Sequence, residues 1–383
     1  MEGGEGKIKN KTLKNLKREE KKKMRKTFLT IGLILLSIAF VYGNADAVSG
    51  QCSNCHTMHN SQNGTNMTYN NADAPNDFLL RGDCLGCHGQ NTSSNIVSLG
   101  NVPQVLHKDT TDLAGGNFAY ITGDKTRATA DASTAGHNVT DLGVADSNLT
   151  SGPPGDENTT GITTNLTCAG TMGCHGNRGT AGSMAAIKGA HHANDAVLKF
   201  PTVNLAGQGT TVGTSYRFLL GVKGGEDTDW QATSSATDHN EYFGATGTGQ
   251  ESTKTTDPSG TMSGLCAECH GGFHGSADIG GTGSPWQRHP TDISLPGTGT
   301  EYAAYTTYST EAPVARTAIT DVSGIVTPTG STDDIVMCLS CHRAHASPNQ
   351  DMLRWSYAGM SAGTTGASAG TGCFTCHTTK DGN

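Results

Sequence analysis

The chain has 383 residues, yet only 34% are hydrophobic and 5% aromatic, while Gly alone supplies 52. A typical globular domain is about 45–50% apolar, so composition excludes an ordinary core built from side chains alone: either much of the chain packs no core, or something other than protein fills its centre. The formal net charge of −8 argues against nucleic acid or anionic lipid as a partner.

In chain order, residues 1–23 are Lys-rich and precede a second Met, which reads as an upstream extension with Met24 the true initiator. Residues 24–47 read "MRKTFLTIGLILLSIAFVYGNADA". Arg25 and Lys26 form a positive n-region. Phe28 to Tyr42 form an apolar run short for a membrane span, and the "ADA" at 45–47 fits a small-x-small cleavage site. This predicts a signal peptide cleaved after Ala47, with 48–383 forming one domain and no membrane span left after cleavage. An uncleaved anchor is the alternative. Without 1–47 the chain keeps 15 basic and 29 acidic side chains, a net charge of −14.

Twelve Cys in an exported chain first suggest disulfides, but their spacing points elsewhere. Cys-x-x-Cys-His occurs five times: Cys52, Cys55 and His56; Cys84, Cys87 and His88; Cys266, Cys269 and His270; Cys338, Cys341 and His342; Cys373, Cys376 and His377. This is the signature of c-type haem attachment. Two thiols add to the two vinyl groups of a haem, and the next His reaches the iron. The two Cys left over, Cys168 and Cys174 in "CAGTMGCHGN", lie three residues further apart than usual, but Cys174 still precedes His175. They read as a sixth site with an expanded loop that Gly170 and Gly173 let bulge outward. A small disulfide loop is the alternative there.

Six covalent haems would solve the composition puzzle. The macrocycles become the core and the polypeptide a wrapper. The predicted fold is a multihaem cytochrome c, mostly coil and turns with few short helices and minimal strand, wrapped around a chain of six stacked haems. Gly/Thr/Ser/Asn-rich stretches at 122–165, 205–215, 244–264 and 359–372 suit that role.

Fifteen His are present, and six are proximal. Nine remain for the distal faces: His59, His107, His137, His191, His192, His239, His274, His289 and His345. His239 in "TDHNEYF" reads as a surface residue; the other eight are candidate ligands. Met67, Met184, Met262, Met352 and Met360 follow no recurrent spacing and read as gap-fillers. His59, His274 and His345 lie three, four and three residues beyond their proximal partners. So close in sequence, each is expected to serve a neighbouring haem rather than its own. Bis-His iron leaves no open coordination position and lacks the sulfur ligand that raises potential. The expectation is low-potential electron transfer rather than enzyme catalysis, with no general acid, base or nucleophile required. An oxidoreductase on nitrogen or sulfur compounds would need an open iron.

The segments "CSNCHTMHNS", "CAECHGGFHGS…RHP", "CLSCHRAHAS" and "YRFLLGVKG", with a last Cys-x-x-Cys-His near the end, resemble the OmcS-type hexahaem cytochromes. These are outer-surface proteins of metal-reducing bacteria that polymerise into conductive filaments. The resemblance spans most of the chain in motif order and is loose between residues 100 and 215. At the third site the family has an ordinary motif followed by Asp-Pro-His; this chain has the long loop, with His191 or His192 as the replacement ligand. The resemblance implies an extracellular homopolymer conducting electrons to other cytochromes or extracellular acceptors, in which His59 ligates the fifth haem, held by His342, of the adjacent subunit. A monomeric periplasmic or surface shuttle is the alternative. The placement of Cys52 and His377 near opposite ends of the mature chain fits a head-to-tail contact that does not close into a ring.

Overall fold

The computed structural model describes residues 18–19, 21–25, 52–62, 64–67, 79–97, 102–128, 132–142, 153, 166–188, 198–200, 203–246, 258–271, 273, 289–297, 299–330, 333–363 and 370–380. The chain divides into two units, Met1–Asp46 and Ala47–Asn383. In the first, residues 18–19 and 21–25 are helical and exposed; the segment expected to be a signal peptide lies, beyond Arg25, outside the described residues. Among those described, no helix is long and apolar enough to cross a membrane.

Regular structure in the second unit is sparse. Two-residue ribbons pair β1 (Ser61–Gln62) with β2 (Thr65–Asn66) and β3 (Ile96–Val97) with β4 (Val102–Pro103), both antiparallel. A further sheet uses β5 (Gly224–Gly225), β6 (Glu241–Phe243), β7 (Ile293–Ser294), β8 (Ala315–Arg316) and β9 (Ile335–Val336) in the order β5-β6-β8-β9-β7. Only β6 and β8 run parallel, with Tyr242 opposite Ala315. The longest described helix, Met262–His270, has nine residues and starts at Thr261, whose hydroxyl accepts the Gly264 N–H at 2.9 Å. It begins inside the stretch expected to be loop up to residue 264, because the Thr261 cap outweighs the local Gly and Ser content.

Hydrophobic packing falls into four small clusters among the described residues, not one core. One joins Leu219, Tyr242, Leu265, Ile335 and Leu339. Another joins Leu106, Phe118, Ile121, Val139 and Ala346. The third joins Leu295, Tyr305, Tyr308, Val326 and Val336, and the smallest Ala169, Ala186 and Ile187. The described residues of this unit are mostly coil and turn with short elements, as composition predicts, because apolar side chains are too few and too scattered to condense into one body.

Candidate haem-binding site

The Cys-x-x-Cys-His segments share one local fold. In the first, the Cys52 carbonyl accepts the Cys55 N–H at 3.2 Å and the His56 N–H at 2.8 Å. In the fifth, Cys338 O accepts from Cys341 N at 3.3 Å and from His342 N at 3.1 Å; in the sixth, Cys373 O accepts from His377 N at 2.9 Å. The second motif is a five-residue helix, Cys84–His88, capped by the Asp83 carboxylate on Cys84 N at 2.9 Å. The fourth closes the helix Met262–His270. One turn of helix or 3₁₀-helix places both sulfurs and the imidazole on the same side of the backbone.

The expanded third motif keeps this closure. Cys168 O accepts the Cys174 N–H at 3.3 Å and the His175 N–H at 3.0 Å, the same pair of bonds made by Cys52 and Cys338. The extra residues form a side loop closed by Gly173 N–H to Gly170 O at 2.9 Å. That loop does not bulge outward as expected. Ala169, Gly170 and Gly173 are buried, and Gly170, at φ +87°, lies so close to Thr180 that a Cβ would be 2.7 Å from the Thr180 carbonyl oxygen. The loop folds inward because it packs on the apolar cluster of Ala186 and Ile187.

Hydrogen bonds at Nδ1 orient the histidines. His88 donates to Pro103 O at 2.8 Å, His175 to Arg217 O at 2.9 Å and His342 to Asp351 O at 2.7 Å. His137 donates to Ala344 O at 2.8 Å and His289 to Pro290 O at 3.0 Å. His377 donates to a carboxylate, Glu301 Oε1, at 2.8 Å. A proton on Nδ1 leaves the Nε2 lone pair for a metal, and such outer partners fix ring orientation. Two of the acceptors, Arg217 and Asp351, have φ of 49° and 56°, left-handed values that non-Gly residues rarely adopt. Burial lowers the His88, His137, His175 and His289 pKa values and pushes His345 down to about 3. A neutral ring is the form that ligates.

The fold brings six of these rings together in pairs. His175 and His345 have ring centres 6.2 Å apart, His137 and His270 6.2 Å, and His289 and His377 6.3 Å. Two imidazoles sharing one iron would need about 6.4 Å, from two metal–nitrogen bonds of about 2 Å plus about 1.2 Å from each nitrogen to its ring centre. The described pairs therefore fit a bis-His haem iron. In contrast, His239 stacks on Tyr308 at 3.6 Å and 5°, a spacing that admits no metal.

A single strap makes two of these pairs. Residues 344–347, just after the fifth motif, thread between 115–117 and 135–137. Gly115 O accepts from His345 N at 2.7 Å, His345 O from His137 N at 3.0 Å, and Ala346 O from Asn117 N at 3.0 Å. Gly116, at φ +89°, and Gly136 permit this approach, since a Cβ on either would run into Ala346. The strap sends His345 to His175 and holds His137 against His270.

One sequence expectation needs correction, that of His239 at the surface, and one candidate ligand, His107, is engaged by protein groups. His107, expected among the ligands, is fully buried and faces protein with both nitrogens. Its Nδ1 accepts the Asp109 N–H at 3.2 Å, and Nε2 faces Asn117 Nδ2 at 3.1 Å and Asp112 Oδ1 at 3.9 Å. Both ring nitrogens thus face protein groups, the Asp109 N–H at one and the Asn117 amide at the other. His239, expected at the surface, is also fully buried, with Nδ1 2.8 Å from Asn240 O and Nε2 3.0 Å from Ala236 O. His59 is exposed. His191, His192 and His274 lie outside the described residues.

Sulfurs of consecutive motifs adjoin. Thiol contacts link Cys55 with Cys87, Cys84 with Cys168, and Cys266 with Cys338. Cys174 lies within electrostatic reach of Cys266, and Cys341 of Cys373. The six attachment segments thus follow one another in space in their chain order. Sequence reasoning missed Glu301 and the carbonyl acceptors. A backbone carbonyl has no sequence signal, and Glu301 lies 76 residues from its partner.

Repeated Cys-x-x-Cys-His turns with oriented imidazoles are the residues that would hold covalent c-type haem. Residues 331–382, the fifth and sixth motifs, match the family model of the doubled CXXCH motif. No curated protein matches the chain. Two solved structures are similar to it: the OmcS nanowires from Geobacter sulfurreducens by cryo-EM, at 21% identity over 83% of this chain and 86% of that one with a TM-score of 0.45, and the Outer Membrane Cytochrome S filament from the same organism, at 20% identity over 84% and 86% with a TM-score of 0.43.

Proposed function

We propose that the chain is an exported hexahaem c-type cytochrome that passes electrons along a continuous line of haems, as the subunit of an extracellular filament. The observation that carries the electron-transfer reading is the set of three imidazole pairs spaced for a shared iron. A six-coordinate iron has no place for a small substrate, which favours electron transfer over enzyme catalysis. The covalent haem supplies the one-electron Fe(III)/Fe(II) couple; the chain holds, spaces and ligates it. Twelve Cys and six proximal His serve attachment, including the Cys168/Cys174 site, whose closure bonds match those of the ordinary motifs.

In this reading His345, His137 and His289 are the distal ligands of the third, fourth and sixth haems. Sites one, two and five then draw on His59, His191, His192 and His274, with His107 and His239 set aside as structural. The motif resemblance assigns His59 to the haem held by His342 of the next subunit. His59 is exposed on the strip just past the first motif, as a ligand shared between copies must be.

Intact mass of the mature protein tests attachment and is expected to show six covalent haems; five would remove the Cys168/Cys174 site. Electron microscopy of His59→Ala tests the junction, with all haems retained and filaments lost. Filaments of normal length from that variant would rule out the cross-subunit ligand.

A further inference from the structure

The sixth site differs from its neighbours in one chemical respect. His88, His175 and His342 each give their Nδ1 proton to a neutral backbone carbonyl. His377 gives its proton to the carboxylate of Glu301 at 2.8 Å. Glu301 is locked to the motif twice over: its own carbonyl accepts the Thr378 N–H at 2.8 Å, and its second carboxylate oxygen lies 3.1 Å from Lys380 Nζ. Tyr302, next in sequence, packs its ring 5.1 Å from that of His377. The carboxylate is therefore fixed at the Nδ1 edge of the imidazole, and the His289 ring lies 6.3 Å away, centre to centre.

We propose that Glu301 is a positioning residue that lowers the reduction potential of the haem at Cys373–His377, acting through His377. This rests on the reading that a haem is held there. The physical basis is direct. An anion accepting the Nδ1 proton pulls it further from the ring than a neutral carbonyl does, giving the imidazole partial imidazolate character and raising the basicity of Nε2. A more basic axial nitrogen favours Fe(III) over Fe(II). Lys380 opposes the effect by neutralising part of the carboxylate charge, so the pair sets the potential between the extremes of a bare carboxylate and a carbonyl. Because the sixth motif ends the line of attachment segments, the adjustment falls on a terminal haem.

The test is a spectroelectrochemical titration of the full-length haem-loaded protein and two variants, with haem counted by intact mass. Glu301→Gln keeps a hydrogen-bond acceptor and removes the charge. One of the haem equivalents is expected to titrate higher by about tenfold in its reduction equilibrium, which is about 59 mV for a one-electron couple, while the others stay in place. Lys380→Met leaves the carboxylate unopposed and is expected to move the same equivalent the other way. Electron paramagnetic resonance of the oxidised protein should show one low-spin signal changing in both variants. Full haem content with superimposable titrations for all three proteins would overturn the proposal and leave the reading of a haem at that site intact. A wild-type protein lacking haem on Cys373 and Cys376 would overturn both.

Discussion

At Gly170 the backbone enters the left-handed region at φ +87° with the Thr180 carbonyl where a Cβ would go, whereas Gly182, at φ +85°, has open space there. The contrast separates two costs. Ala at Gly182 (φ +85°, ψ 131°) bears backbone strain alone, about 1–3 kcal/mol; Ala at Gly170 adds a steric clash with the Thr180 carbonyl, about 1–3 kcal/mol more. Chemical unfolding of both variants checks this: equal losses would mean that the third loop is not packed as described. Histidines sort at the same scale by what their nitrogens meet. His107 and His239 have the residue type of a ligand and the environment of a buried hydrogen-bonding side chain. Type and spacing alone do not separate them from His137 and His289, because the rings and carbonyls that tell them apart, such as Tyr308 on His239 and the Ala344 carbonyl on His137, are remote in sequence.

At the scale of elements, the helix Met262–His270 ties the fourth motif to the third. Glu268, one of the two free positions inside Cys266–Cys269, receives a two-pronged contact from Arg178, at 2.7 Å and 2.6 Å, and both side chains are 1% exposed. Truncating one member strands a buried charge, so Glu268→Ala should destabilise by about 3–5 kcal/mol, while replacing both members by Met should restore most of that loss. Denaturant midpoints of the single and double variants test the pair, and additive losses would contradict it. The existence of this helix end was readable from the motif itself. Its partner was not, since the motif leaves position 268 unconstrained and Arg178 lies 90 residues away. The sheet is similar: β6 and β8 are joined by Arg316 contacting the buried Glu241 carboxylate, with Arg316 Nε 3.3 Å from Asp334. Strands of two or three residues carry too little alternation to be seen in sequence.

At the scale of the molecule, the described residues hold four small apolar clusters, and 34% of the chain is hydrophobic, little to set against the conformational entropy of ordering so many residues. In the proposed reading the haems contribute the remaining apolar contact. Protein made without haem attachment should therefore have a disordered circular dichroism spectrum and no cooperative thermal transition; a sharp transition in the haem-free chain would show that the polypeptide folds alone. Composition made this legible before any coordinates, because a deficit of apolar side chains is a property of the sum and not of the arrangement.

Attachment is written locally. Each pair of Cys and the His that follows occupy five residues, or eight at the third site, and one backbone turn suffices to present them. The sequence by itself therefore marks where c-type haem can attach and that the chain is too poor in apolar side chains for an ordinary core. The proposed pairing across each iron rests on tertiary structure alone. His137 takes its acceptor 207 residues downstream, and His345 reaches His175 because Gly116 and Gly136 open a gap through which residues 344–347 pass. In the proposed ligation, the carbonyl that orients His137 and the gap that admits His345 are both set by chain segments that meet only when the molecule folds.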